Sequence, residues 1–172
     1  MSEATVGNAG VVPAEEKPDK ASIVVMSGDL DKVMGSFIIA TAAAAAGMEV
    51  TMFFTFWGLR ALKKNVPTGR TFFGRLLGLM YGGDITRCNP SKFSFCGLGR
   101  WMFNRMMKRH NVPDLAELRR MAIDLGVKLY ACQMSMDVME FPREALIDEL
   151  TDVVGAAFFV SEAAESSFSL FI

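Results

Sequence analysis

An uncharged run of sixteen residues, 33–48, lies between two short apolar runs at 22–27 and 49–57, and this arrangement constrains the fold more than any other feature of the chain. A membrane-spanning helix needs about twenty apolar residues, and Gly47 and Glu49 end this run before that length is reached. Its Ala-rich part favours a helix, Asp29 or Asp31 stands where an N-cap belongs, and Gly47 supplies a C′ residue. The flanking runs are apolar along most of their length, as strands covered on both faces are. A buried helix between two buried strands is how a parallel α/β sheet begins.

The alternation continues. A short helical stretch is expected around 59–64, and residues 65–99, with Pro67, Pro90 and seven glycines, read as an irregular insertion over the top of the domain. Helices are expected at about 98–109 and from Pro113 to about 125, where Leu115, Leu118, Met121, Ala122 and Leu125 recur at helical spacing before Gly126. A strand at 127–132, a helical turn at 135–139, a helix at 142–150, a short strand at 152–155, a helix at 156–166 and a strand at 168–172 complete the chain. The implied fold class is α/β, a three-layer α/β/α sandwich with a mainly parallel, about five-stranded sheet and right-handed crossovers. A chain of 172 residues, 51% hydrophobic, suits one such domain at 21–172. Residues 1–20 have no apolar period and are expected to form a disordered leader.

The formal net charge of -1 conceals a strong polarity along the chain. Residues 60–109 hold eleven Lys and Arg against one acid, Asp84. Within the basic, Met- and Phe-rich insertion at about 65–110, Arg100, Trp101, Arg105, Lys108 and Arg109 read as a docking surface for an acidic protein or as a peripheral membrane contact. A core-packed helix with a solvated basic face is the plainer alternative. No recognition motif accompanies the charge, so nucleic acid is not expected.

Three cysteines are too few for a disulfide scaffold and no secretory pattern is present, so a reducing cytoplasm is expected, with membrane association as a further option. Cys88 and Cys96 fit none of the short zinc spacings, and neither metal nor cofactor is expected. His110, the single histidine, ends a basic helix, which argues against a Cys–His pair. Cys132 is the informative thiol. It closes a strand just ahead of a helix N-terminus, where functional groups of open α/β sheets collect and where unpaired N–H groups favour thiolate. A buried, unreactive thiol is the alternative. Gly28 and Asp29 end the first strand and are expected to line the same cleft, or else to serve only as turn and cap. Cys96, on the insertion, is a candidate relay thiol.

The runs Met-Ser-Gly-Asp-Leu-Asp-Lys at 26–32, Gly-Met-Glu-Val-Thr-Met-Phe-Phe-Thr-Phe-Trp-Gly-Leu at 47–59 and Tyr-Ala-Cys-Gln-Met-Ser-Met-Asp-Val-Met at 130–139 resemble the DsrE/DsrF-like family, in its larger DsrE-type branch. The resemblance implies a sulfur carrier or sulfurtransferase-like protein with Cys132 as its persulfide-bearing catalytic residue. Gln133 and Ser135 are then candidates to stabilise the added sulfur. The partners expected are sulfur donor and acceptor proteins or low-molecular-weight persulfides, and the chain is expected to form a homo-oligomer. Two other functions stay open at this point, a non-catalytic interaction or peripheral-membrane module and a thiol–disulfide redox protein using Cys96 with Cys132. Glu140-Phe141 and the 65–100 region depart from the family pattern.

Overall fold

The computed structural model describes residues 19–172 apart from Phe93. The expected leader therefore lies outside the described residues up to residue 18, while Lys20 already belongs to the sheet. Five strands, β1 (Lys20–Val25), β2 (Glu49–Phe54), β3 (Lys128–Cys132), β4 (Asp152–Val154) and β5 (Phe168–Phe171), pair in the order β4-β3-β2-β1-β5. Every pairing is parallel. The first four strands are laid outward in chain order and β5 returns to the far side of β1. The sheet thus changes direction between β1 and β5.

Helix α1 (Leu30–Ala45) buries Leu30, Val33, Met34, Phe37 and Ala40, an i, i+3, i+4, i+7 stripe, and turns Ile38 and Ile39 outward. It packs with α4 (Leu115–Asp124) over the sheet face that carries Ile23, Val25, Met52, Phe54, Leu129 and Ala131. The apolar run is therefore core. Among the described residues no helix is long and apolar enough to cross a membrane. Helix α4 starts in a capping box, with Glu117 N–H donating to Asp114 Oδ1 at 2.9 Å and Asp114 N–H to Glu117 Oε2 at 2.8 Å. Pro113 precedes the cap instead of opening the first turn.

The opposite face is thinner. There Val24, Phe53 and Cys132 form a small cluster under helix α6 (Ala156–Ala164), whose Phe159 stacks on Phe53 at 5.4 Å. No residue of α6 is fully buried.

Three local expectations are corrected. The strand expected over 49–57 stops at Phe54, because Phe56 takes φ +43 and the chain winds into a 3₁₀ turn, Phe56–Leu62. The 65–99 segment is not wholly irregular, since it contains helix α2 (Phe72–Met80), and α3 (Leu98–Arg109) follows as expected. The helix expected over 142–150 does not form beyond a 3₁₀ turn at Arg143–Ala145. Its backbone pairs sideways instead, with Lys64 N–H donating to Ala145 O at 2.7 Å and Ile147 N–H to Leu62 O at 2.9 Å. Those donors and acceptors are then unavailable to an i→i−4 ladder.

Candidate functional site

Cys132 is the last residue of β3 and the N-cap of α5 (Gln133–Met139). Strand alternation turns its side chain to the thinner face of the sheet, beside Val24 and Phe53, where it is 6% exposed. The ladder aligns Val25, Phe54, Ala131 and Val153 across four strands. One residue further on, Met26, Thr55, Cys132 and Val154 form the next row. Thr55 extends that ladder by donating its N–H to Val25 O at 3.0 Å. The Thr55 hydroxyl thus lies next to the Cys132 thiol and meets the buried Ser135 hydroxyl at 2.7 Å.

This shell decides the charge state of the thiol. Burial opposes ionisation, but the Ser135 hydroxyl, the Ser135 N–H, the Thr55 hydroxyl and the Met134 N–H together outweigh it and hold Cys132 below the ordinary thiol value. The N–H groups belong to the first turn of α5, where an N-cap acceptor is wanted. The result is a partly enclosed thiol whose anion has ready-made donors. Removing the Ser135 hydroxyl should raise the thiol's pKa, so the rate of alkylation by iodoacetamide at pH 7 is expected to fall about tenfold, the worth of one charge-assisted hydrogen bond. At high pH the wild-type and Ser135→Ala rates should converge, because both thiols are then ionised. An unmoved midpoint in the rate–pH profile would rule out this role for Ser135.

The other expected site residues are distributed more widely. Gln133 is exposed and its amide donates to Asp137 Oδ1 at 2.8 Å, within its own helix. Gly28 and Asp29 line a cleft of about 810 Å³ whose walls also include Met26, Trp57 and Tyr81 but not Cys132. The three thiols are free: Cys88 is fully buried, and Cys96 is exposed in the 3₁₀ turn Phe95–Gly97, outside the shell around Cys132. Arg100, Trp101, Arg105, Lys108 and Arg109 share α3, and four of them line a shallow depression with Met102 and Met106. Helix α2 adds Phe72 and Phe73, both 77% exposed. Among the described residues no three His, Cys, Asp or Glu side chains converge for a metal.

Thr55 is the site residue that sequence reading missed. Glu140 is the second finding. It takes the left-handed conformation at the end of α5, φ +51, and its carboxylate accepts from Arg70 N–H, from Thr71 N–H at 2.8 Å and from the Thr71 hydroxyl. Glu140 therefore ties the helix that follows Cys132 to the start of α2.

The sequence profile of the DsrE/DsrF/DrsH-like family matches residues 17–171. The chain is 41% identical over 159 residues to the Bacillus subtilis (strain 168) protein "Uncharacterized protein YrkE", covering 91% of this chain and 99% of that one. It is 34% identical over 167 residues to "Sulfur carrier protein DsrE2" of Allochromatium vinosum, covering 89% and 98% respectively. The crystal structure of the YchN protein from E. coli superposes with a TM-score of 0.55 over 90% of this chain and 99% of that one, at 11% identity, a likeness of fold.

Proposed function

We propose that this chain, which belongs to the DsrE/DsrF/DrsH-like family, is a sulfur carrier that holds sulfane sulfur as a persulfide on Cys132 and yields it to an acceptor thiol. The observation that carries this reading is the Cys132 thiol itself, kept ionisable by Thr55, Ser135 and the first N–H groups of α5. The thiolate attacks the outer sulfur of a donor persulfide, forms a new S–S bond and expels the donor thiolate; transfer onward reverses the roles. The same hydroxyls and N–H groups that stabilise the thiolate are placed to stabilise a persulfide anion. Donors and acceptors are proteins or low-molecular-weight persulfides. The free thiols suit a reducing cytoplasm. The exposed Val160 and Phe171 on the thin α6 side of the sheet support a homo-oligomer.

Incubation with glutathione persulfide should add about 32 Da, one sulfur atom, to the intact mass, and peptide mapping should place it on the peptide bearing Cys132. Sulfur found on the Cys88 or Cys96 peptide alone would sink the assignment.

A second reading concerns the basic segment and is compatible with the first. Trp101 is exposed on α3, the helix that also carries Arg100, Arg105, Lys108 and Arg109, and Phe72, Phe73 and Leu79 are exposed on α2. Apolar side chains rimmed by one sign of charge support a docking surface for an acidic partner protein or an anionic membrane.

A further inference from the structure

Surface helices of globular domains turn their apolar side chains toward the core, and α2 does the reverse. Phe72, Phe73, Leu76, Leu79 and Met80 recur at helical spacing on one face of it, and each is between 45% and 81% exposed. The inward face is Gly74, Leu77 and Gly78. A side-chain carbon at Gly74 would run into the Glu140 carboxylate and one at Gly78 into Thr68 O, so the two glycines let the helix backbone lie directly on its neighbours. The Thr71 hydroxyl caps the helix, accepting from Gly74 N–H at 3.1 Å, and is itself held by Glu140. The apolar face is thus a formed and anchored surface that the core of the domain does not cover.

Cations stand at its edge. Arg75 and Arg87, both exposed, line a depression of about 580 Å³ together with Leu79. Arg100, in the first turn of α3, donates to Arg87 O at 2.9 Å, which ties the second basic helix to the same margin. Among the described residues only Lys64, of the eleven Lys and Arg between 60 and 109, forms an ion pair. Asp84, the one acid of that stretch, accepts from Thr86 N–H at 3.0 Å and from the Thr86 hydroxyl at 2.6 Å. The positive charge therefore calls for an anionic partner. What the apolar face lacks says which kind. Phe, Leu and Met side chains offer no strong hydrogen-bonding group, whereas protein interfaces make about one hydrogen bond per 100–200 Å². An acyl phase needs none, and anionic headgroups complement Arg75 and Arg87. A second copy would bring the same positive charge to this face, which opposes self-pairing through it.

We propose that α2 is an interfacial helix that seats the protein on an anionic lipid bilayer, with its Phe, Leu and Met side chains in the acyl boundary and Arg75 and Arg87 among the headgroups. This rests on the docking reading of the basic segment above and commits it to lipid. It is independent of sulfur transfer at Cys132.

The test is co-sedimentation of the full chain with vesicles of phosphatidylserine and phosphatidylcholine, against vesicles of phosphatidylcholine alone. Binding to the anionic vesicles is expected, weaker as salt is raised and about fivefold weaker in Arg75→Gln. The double variant Phe72→Ser, Phe73→Ser should bind about tenfold more weakly or less than that, while melting like the wild type, because both positions are exposed. Arg75→Gln carries the test if the double variant does not fold. No binding to anionic vesicles, equal binding to both vesicle types, or unchanged binding by the folded variants would overturn the proposal. So would a wild type that self-associates and is dispersed by the Phe substitutions, which would assign the face to a second copy. Poly-glutamate, acidic but without an acyl phase, separates the two levels of the reading. Arg75-dependent capture of poly-glutamate with none of the vesicles would overturn the lipid assignment and leave a protein-docking surface, and capture of neither would remove both.

Discussion

Cys132→Ser should gain no sulfur at all from a persulfide donor, while melting as a folded protein close to the wild type. The loss is complete because a serine hydroxyl does not ionise near neutral pH and forms no persulfide. Stability should change by about 1 kcal/mol or less, since serine is a favoured N-cap and its oxygen can accept from the same first-turn N–H groups of α5 that favour the thiolate. Cys88 is not a ready substitute. Cys88 is fully buried and burial pushes its pKa up to about 11 against the opposing effect of Arg60, which leaves little thiolate at neutral pH. Cys96 is exposed, and the Cys96→Ser variant tests it directly. If sulfur loading survives in Cys132→Ser and disappears in Cys96→Ser, the carrier thiol has been misassigned. A wild-type loss of about 2 Da on mild oxidation, absent from both variants, would instead identify a redox pair.

The alternation of apolar runs and helical periods made the parallel sheet legible, and it placed Cys132 at the end of a strand before a helix began. What remained hidden depended on contacts between distant segments. Helix α2 was missed because Gly74 and Gly78 lower helix propensity, yet both glycines are contact points, Gly74 against the Glu140 carboxylate and Gly78 against Thr68 O. A helix over 142–150 was expected from local preference, and the pairing of that backbone with residues 62–64 prevailed. Thr55 was hidden by the reading of 49–57 as one strand. Alternation alone puts Thr51, Phe53 and Thr55 on one face, but only the ladder to β3 brings Thr55 level with Cys132. The basic surface was legible as a charge run; its use was not, because composition does not show which apolar side chains stay uncovered. Arg60 and Lys63 enter the sequence reading only as members of the basic run at 60–109, and nothing in their local sequence signals that the turn Phe56–Leu62 and the residue that caps it are buried.

Gly58→Ala is expected to be the most damaging single-methyl substitution near the site. Its added carbon would overlap the carbonyl oxygen of Val25 and lie 2.8 Å from the carbonyl carbon, both on the inner strand β1, so neither can swing aside as a side chain would. Relief requires movement of the turn Phe56–Leu62 or of the strand, a form of overpacking that costs about 3 kcal/mol. For a chain of this size that corresponds to a melting temperature lower by roughly 6–12 °C. The displacement should also reach the chemistry. Gly58 N–H donates to Met26 O at 2.8 Å and to Thr55 O at 2.9 Å, so moving it shifts the residue whose hydroxyl stands beside Ser135 and Cys132. Cys132 in Gly58→Ala is therefore expected to alkylate more slowly near pH 7 under conditions where the variant is still folded. Gly35→Ala supplies the contrast, because Gly35 lies within α1 and an added carbon there meets nothing within 4 Å. That change should stabilise the protein by about 0.5–1 kcal/mol through helix propensity and leave the alkylation rate alone. Equal melting temperatures for the two variants would show that the turn accommodates the methyl, and the coupling drawn between Gly58, Thr55 and the thiol would then fail.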